Sequence, residues 1–500
     1  MLAHTLDQLK RNSLGDIITS SDDDYPTAIS RWAINAARPA KVVAFVKNTK
    51  DISQALYYAK YSKLSLAVRG GGHNAVGASS AKDGLVVDLS RYMNLVKIDA
   101  EARLAYVQGG ALWKDVDEAA IQHGLATVGG TVNHTGVAGL TLGGGFGWLQ
   151  GSHGLTVDNL VQAVIVLSDG TALTANANEN TDLFWAIRGG GCNFGICAEF
   201  VFRLHVQRRT VFAGNLMFDI ERLDDVMRVI RDWYFSASEK EVAFLTCYRN
   251  AELDKASPSP GFTEVSVWLT AVPCQALTFV SVFYNGSKVE GRSKFKTFLD
   301  LGPTEDTTAE IPYEALNGLY NQYYEPGLAR HMRGFRYDLK NSPAASIRNV
   351  LERMNTLPFK ERCLSLSVVL EYNSFAKVNA VPNDAMALAR HSLNNGFALM
   401  GWPEDTPQNI AFARKEVWEI LQMISPGQKY FTGNTEGFQY VEDQDHRVSS
   451  TTKGETLYGT EKYRKLQRLK RKYDPEVIFN KWFIIEPASE EKERGIKSRL

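Results

Sequence analysis

Apolar and polar positions alternate in short blocks over the first two hundred residues. The run KVVAFV (41–46) reads as a strand, and residues 51–62 place Ile52, Ala55, Leu56 and Ala59 on one helix face. LSLAV, GLVVDLS, LVKIDA and LAYVQ follow as strands. A helix over 111–123 stops at Gly124, the residue type that best tolerates the left-handed turn after a helix end. AVIVLSDGTALTA predicts two strands joined by an Asp-Gly turn, and a helix near 179–188 leads into the strand ICAEFVFRLHV. The interleaving is too irregular for repeated βαβ units, so the expectation is an α+β fold.

The texture changes at about residue 208. Longer strand candidates appear (VAFLTCYRN, FTEVSVWLTAV, ALTFVSVFYNG, CLSLSVVLEYN), separated by helices such as 221–235, which predicts a large antiparallel sheet with helices over one face. In the segment TEKYRKLQRLKRKYDPEVIFN, Tyr463, Leu466, Leu469 and Tyr473 form an apolar stripe at helical spacing, with seven Lys/Arg filling the rest of 461–472. The expected organisation is an N-terminal segment 1–34, units at 35–207 and 208–425, a C-terminal segment 426–487 and a tail 488–500.

A chain of 500 residues with 44% hydrophobic content can bury two or three cores. Its 56 basic side chains equal its 56 acidic ones, so no overall field favours nucleic acid or an anionic membrane, and the basic helix reads as a solvated face. A small molecule is the expected partner. The N-terminus lacks the pattern of a secretion signal, and no apolar run approaches the roughly 18 residues of a spanning helix. Five cysteines without CxxC spacing fit buried thiols in a reducing compartment better than disulfides or zinc ligands. These features point to the cytoplasm, with the peroxisome as the alternative because Ser498-Arg499-Leu500 is a conservative variant of the Ser-Lys-Leu address.

Three glycine clusters stand out: RGGGHN (69–74), GGTVNHTGVAGLTLGGGFGW (129–148) and RGGGCNFGI (188–196). None fits the dinucleotide fingerprint or the phosphate-binding loop of nucleotide hydrolases. Bare backbone lets consecutive N–H groups converge on an anion, so a bulky cofactor with a pyrophosphate is the functional reading; tight turns and close strand packing are the structural one. His73 sits at the edge of the first cluster, and neutral imidazole is a competent nucleophile.

Together RGGGHN, GVAGLTLGGGFGWLQGSHGLTVDN, DLFWAIRGGGCNFGI and YRKLQRLKRKYDPEVIFN, in that order, resemble the FAD-linked oxidases of the berberine bridge enzyme-like group in the vanillyl-alcohol oxidase superfamily. The resemblance implies a PCMH-type FAD-binding domain at 35–207, a substrate domain at 208–425, and a C-terminal segment that returns to the flavin. His73 falls on the histidine that bonds the 8α carbon of FAD. Arg69, Gly70, Gly71, Gly72 and Asn74 match the pyrophosphate cradle. Gly130, Thr131, Val132, His134, Thr135, Gly136, Gly139, Thr141, Gly143, Gly144, Gly145 and Gly147 run along the cofactor, and Asn193, Phe194, Gly195 and Ile196 enter a strand beside the flavin. Many members carry a second anchor, a cysteine at the position held here by Val132, so attachment through His73 alone is expected, as in the hydroxynicotine-oxidase-like branch. Thr135 holds the position that in relatives helps admit oxygen, which favours an oxidase with molecular oxygen as acceptor.

The implied chemistry passes a substrate hydride to the flavin while a protein base takes the neighbouring proton. Candidates for the base are Glu371, Tyr372 and Asn379 in LEYNSFAKVNAV, and Tyr440, Glu442 and Asp443 in YVED, with Tyr440 preferred. The substrate expected is an amine, alcohol or phenolic natural product of secondary or catabolic metabolism. A dehydrogenase or oxidative cyclase that does not use oxygen, and a non-redox use of the same pocket, stay open from sequence.

Overall fold

The computed structural model describes residues 4–251, 276–339, 344–359, 365–390, 394–426, 450–481 and 483–489. Strand β1 (Ile17–Ile18) pairs antiparallel with β2 (Val42–Phe45). Both β2 and β3 (Leu66–Arg69) pair in parallel with β4 (Leu85–Asp88). Helix α1 (Thr49–Tyr61) is capped by the Asn48 side chain, which accepts from the Asp51 amide. It buries Ile52, Ala55, Leu56 and Ala59, the face read from their spacing. This small sheet thus contains parallel connections that the irregular interleaving did not predict.

A second, antiparallel sheet follows, ordered β5 (Val96–Asp99), β6 (Leu104–Gln108), β10 (Ile196–Arg203), β8 (Leu160–Val166), β9 (Ala172–Asn176). The short strands β7 (Leu125–Ala126) and β11 (His205–Val206) form a separate pair. Helix α2 (Trp113–Ile121) ends before Gly124, whose φ of +66° is the left-handed conformation expected there. The second glycine cluster contains a helix that its composition concealed, α3 (Val137–Leu142). Helix α4 (Thr181–Ile187) precedes the third cluster.

The third sheet begins at Thr210 and has eight strands, ordered β15 (Glu305–Asp306), β12 (Thr210–Phe218), β14 (Leu277–Tyr284), β13 (Glu241–Asn250), β18 (Ser365–Tyr372), β19 (Asn394–Trp402), β17 (Ala329–Tyr337), with β16 (Ala309–Pro312) also on β12. Alternate residues point to opposite faces. One face packs under helices α5 (Leu223–Tyr234), α6 (Ala344–Thr356) and α7 (Pro407–Ile424), burying Val368, Leu370, Ala398 and Met400 with them. The other face carries Val369, Phe397 and Leu399 into a cluster shared with Trp32, Val128 and Trp148 of the first unit. The expected strand FTEVSVWLTAV lies outside the described residues, whereas β12, β17 and β19 were not anticipated.

Helices α8 (Ser450–Tyr458) and α9 (Thr460–Tyr473) pack together, and α9 buries the predicted stripe Tyr463, Leu466, Leu469 and Tyr473. Its basic residues are not all solvated. Lys470 is fully buried and donates to the carbonyls of Asn193 and Phe479 and to Asp474, each at 2.7 Å. Lys465 lies over the Trp185 ring and Lys472 pairs with Asp182. The reading of a wholly solvated face is corrected: these charges hold α9 against α4 and the third glycine cluster. No helix among the described residues is long and apolar enough to cross a membrane.

Candidate functional site

Strand β3 delivers the first glycine turn between the two units. A Cβ on Gly71 would stand 2.5 Å from the Gly136 nitrogen, and one on Gly136 would stand 2.5 Å from the Gly71 nitrogen. The first and second clusters therefore touch backbone to backbone, which no side chain would permit. Gly72 has φ +70° and reverses the chain beside Arg31 and Arg69. Arg69 pairs with buried Asp88 at 3.1 Å, and the charge of Asp88 also acts on Arg31. Burial, with the neighbouring Arg69, lowers Arg31 to about 9. Two guanidiniums against one carboxylate leave a positive excess under the turn.

A cleft of about 840 Å³ opens over this turn, lined by Gly70–Asn74, Thr135, Gly136, Gly139, Gly195 and Ile196, with Cys192 and Cys197. Burial raises both thiols, Cys192 to about 11 and Cys197 further, so neither is a thiolate at neutral pH. The cleft's chemistry fits a flavin dinucleotide on three counts. The positive excess suits a diphosphate. Asn74 uses its Oδ1 on the amides of Val76 and Ala78, while its buried Nδ2 has no acceptor among the described residues. A Cβ on Gly139 would meet nothing within 4 Å, so the open space lies over α3.

A second cavity of about 490 Å³ shares His73, Thr135 and Leu140 with the cleft. Its other walls are Trp32, Gly130, Thr131, Val132, Phe146, Tyr324, Met332, Phe397 and Leu399. His73 thus stands where the two spaces meet. Its ring stacks on Trp32 at 4.1 Å, and its Nε2 lies 3.2 Å from Nδ1 of His134. Burial, then the charges of His73 and Arg330, push His134 down to about 4, so it is neutral at physiological pH. Trp32 is held by its indole N–H on the Tyr324 carbonyl, and the next residues bridge to Leu328.

The remaining sequence candidates separate by position. Gly144, Gly145 and Gly147 pack against Leu388, Thr156 and the Gly129 carbonyl, and they, Gly143 and Thr141 line neither cavity. The Thr141 hydroxyl donates within its own helix. Asn193 turns to the C-terminal segment, donating to Phe483 O and accepting from the Ile485 amide. Phe194 is wholly buried in the core beside it. Glu371 follows Val369 by two residues and so shares the sheet face that looks toward the first unit. It is buried, its Oε2 has no hydrogen-bond partner among the described residues, and burial raises it to about 8. Tyr372 points the other way, into the helix-side core with Tyr337, and is corrected as a base for that reason. Asn379 is corrected too: the chain turns into a short helix after Phe375 and leaves it exposed. Tyr440, Glu442 and Asp443 lie outside the described residues, as does Ser498-Arg499-Leu500.

Sequence reasoning missed Trp32, Arg31, Tyr324, Met332, Phe397 and Leu399. Trp32 and Arg31 sit in an N-terminal stretch without periodicity, and the other four belong to elements whose facing no local pattern revealed.

Comparison with known proteins agrees with this geometry. Residues 40–176 match the FAD binding domain family model. The chain is 32% identical to the FAD-linked oxidoreductase pgmH of Aspergillus terreus over 97% of its own length and 96% of that protein's. Its fold is similar to that of 6-hydroxy-D-nicotine oxidase from Arthrobacter nicotinovorans, with TM-score 0.79 and 23% identity over 95% of this chain and 98% of that one. It is also similar to Physcomitrella patens BBE-like 1, with TM-score 0.77 and 21% identity over 97% and 100% of the two chains. Glycine turn, cleft and full-length kinship together place this chain among the FAD-linked oxidoreductases, enzymes with an FAD binding domain, here on a fold similar to that of a berberine bridge enzyme-like protein.

Proposed function

We propose that the protein is a flavin oxidase whose FAD is attached through His73 alone and whose substrate, a small amine, alcohol or phenol, enters the aromatic cavity. The observation that carries this reading is the position of His73 in the walls of both spaces. When bound, FAD supplies the electron sink for a substrate hydride and a route for both electrons to dioxygen.

The chain's own residues do the rest. The glycine turn would hold the diphosphate, with the charges of Arg31 and Arg69 behind the turn rather than in the cleft wall, and Asn74 Nδ2 would donate to the cofactor. His134 holds the His73 ring in place through the contact between their nitrogens. No second link is assigned, because Val132 stands in the cavity wall and the two nearby thiols stay protonated. Thr135, in the walls of both spaces, is small enough to leave dioxygen a path. Trp32, Phe146 and Phe397 exclude water and orient a flat substrate. Glu371 lines neither cavity, so it is assigned the substrate proton only from behind the wall, relayed through a wall hydroxyl. It acts on the Tyr320 hydroxyl, and the Tyr320 ring lies 6.2 Å from that of Tyr324 in the cavity wall.

Anaerobic mixing with candidate substrates tests the reading. Bleaching of the yellow colour, followed by peroxide release when air is admitted, is the expected result. Bleaching without peroxide would make the protein a dehydrogenase. Glu371→Gln is expected to lower kcat at least tenfold and to remove the rise of activity with pH toward about 8.

A further inference from the structure

The cavity beside His73 carries more information than its size. Its described walls include four aromatic rings, those of Trp32, Phe146, Tyr324 and Phe397, and the apolar chains of Met332 and Leu399. Among the described residues no aspartate or glutamate lines it. Its side-chain polar groups are the hydroxyls of Thr131, Thr135 and Tyr324 and the imidazole of His73. Behind Trp32 the Arg330 guanidinium lies 4.4 Å from the ring centroid, and its positive charge reaches His134.

We infer that this pocket selects hydroxylated aromatic substrates, neutral or phenolate, and rejects protonated amines and oligosaccharides. The inference rests on the oxidoreductase reading above and narrows it to one substrate class. Among the described walls a cation entering here finds no carboxylate to replace its hydration, since Glu371 stands outside them and burial raises it to about 8, which keeps it mostly protonated at neutral pH, and the cation meets the field of Arg330. A sugar buries many hydroxyls against few partners, and each one left unpaired costs about 1–3 kcal/mol. A flat ring instead gains stacking and apolar burial on every side, while a single hydroxyl reaches Thr131, Thr135 or Tyr324.

For an aryl carbinol the chemistry closes without further reactants. The C–H bond breaks and its electron pair leaves as hydride, the O–H proton leaves to the protein, and the carbon–oxygen double bond forms. Both electrons and two protons end on dioxygen as hydrogen peroxide.

The test uses the flavin-loaded protein and two probes of equal shape, 2-naphthalenemethanol and 2-naphthylmethylamine, the latter protonated at neutral pH, with xylobiose as the sugar. Binding is read from the perturbed flavin absorption, and reaction from anaerobic bleaching. The alcohol is expected to bind and bleach, the amine to bind at least about 100-fold more weakly, and xylobiose to do neither. Leu399→Glu, which sets a carboxylate in the wall, is expected to bring the amine's affinity up at least about tenfold and to weaken the alcohol. Equal or tighter amine binding in the unaltered protein overturns the inference. So does bleaching by xylobiose, or failure of the alcohol to bind. Dithionite reduction with peroxide-forming reoxidation in air, run on the same sample, keeps the two failures apart. If that cycle works while the alcohol fails, the substrate class falls and the oxidase stands; if the cycle releases no peroxide, the oxidase reading falls.

Discussion

Gly139 and Gly71 both face the cleft, and their substitutions separate binding from folding. Nothing lies within 4 Å of a Cβ on Gly139, and its helical backbone accepts any L-residue, so Gly139→Leu fills only the space above α3. FAD content is expected to fall at least tenfold while the thermal midpoint of the protein freed of flavin stays level or rises, since leucine favours helix by up to about 1 kcal/mol over glycine. Gly71→Ala drives a methyl into the Gly136 backbone and is expected to prevent folding. Equal FAD content in Gly139→Leu and the unaltered protein would remove the cofactor from this cleft.

Histidines set a pH limit. Burial lowers both His134 and His205 to about 4 from the ordinary 6.5. Between those values the unfolded chain binds protons that the folded one refuses, so stability held above pH 6.5 is lost as pH falls toward 4. The urea midpoint is expected to drop on acidification through that window, less steeply in a His134→Gln, His205→Gln double variant. Equal slopes would show that these imidazoles do not contribute. The place of His73 at the edge of the cleft was legible because three glycines isolate it in sequence. The stack of Trp32 upon it was not, because it depends on a bridge from residue 33 to residue 328 that no local pattern encodes.

At the scale of elements, α9 is fastened by charge as well as by its apolar stripe. Lys470 and Asp474 are fully buried together, and Asp474 also accepts from the amides of Ile478 and Phe479. Lys470→Met leaves that carboxylate without its cation and is expected to cost about 3–5 kcal/mol in chemical unfolding. A loss below about 1 kcal/mol would mean that the stripe alone holds the helix. The stripe could be read from spacing, whereas the buried lysine among seven basic residues could not, because periodicity reports a face and not what covers it. Strand β17 escaped notice for a related reason. ARHMRGFRY spreads its arginines over both faces and leaves no clean apolar one, since partners distant in sequence cover the charge: Arg330 stacks on Trp32 and Arg333 on Trp418. In β19, Gly396 and Gly401 broke the strand signal; they admit Phe335 and Ser365 into spaces that a Cβ would close.

Across the whole molecule, two sheets and an N-terminal strap meet at one imidazole. The glycine turn comes from β3, its opposing backbone from the start of α3, the aromatic wall from the strap and from the face of the eight-stranded sheet that packs toward the first unit. The order of motifs along the chain was enough to indicate the FAD-binding architecture, because each glycine cluster is local. The aromatic cavity was not legible, because its walls come from positions between 32 and 399 that only the folded chain assembles.

The central claim is that His73 alone tethers the flavin. Precipitation of the purified protein with acid, followed by trypsin and mass spectrometry, measures it directly. The account predicts a yellow pellet, with the peptide of residues 70–82 heavier by one FAD less the two hydrogens lost on bonding, and a colourless pellet for His73→Ala but not for Cys192→Ala. A colourless pellet from the unaltered protein, or flavin found on any other peptide, would contradict it.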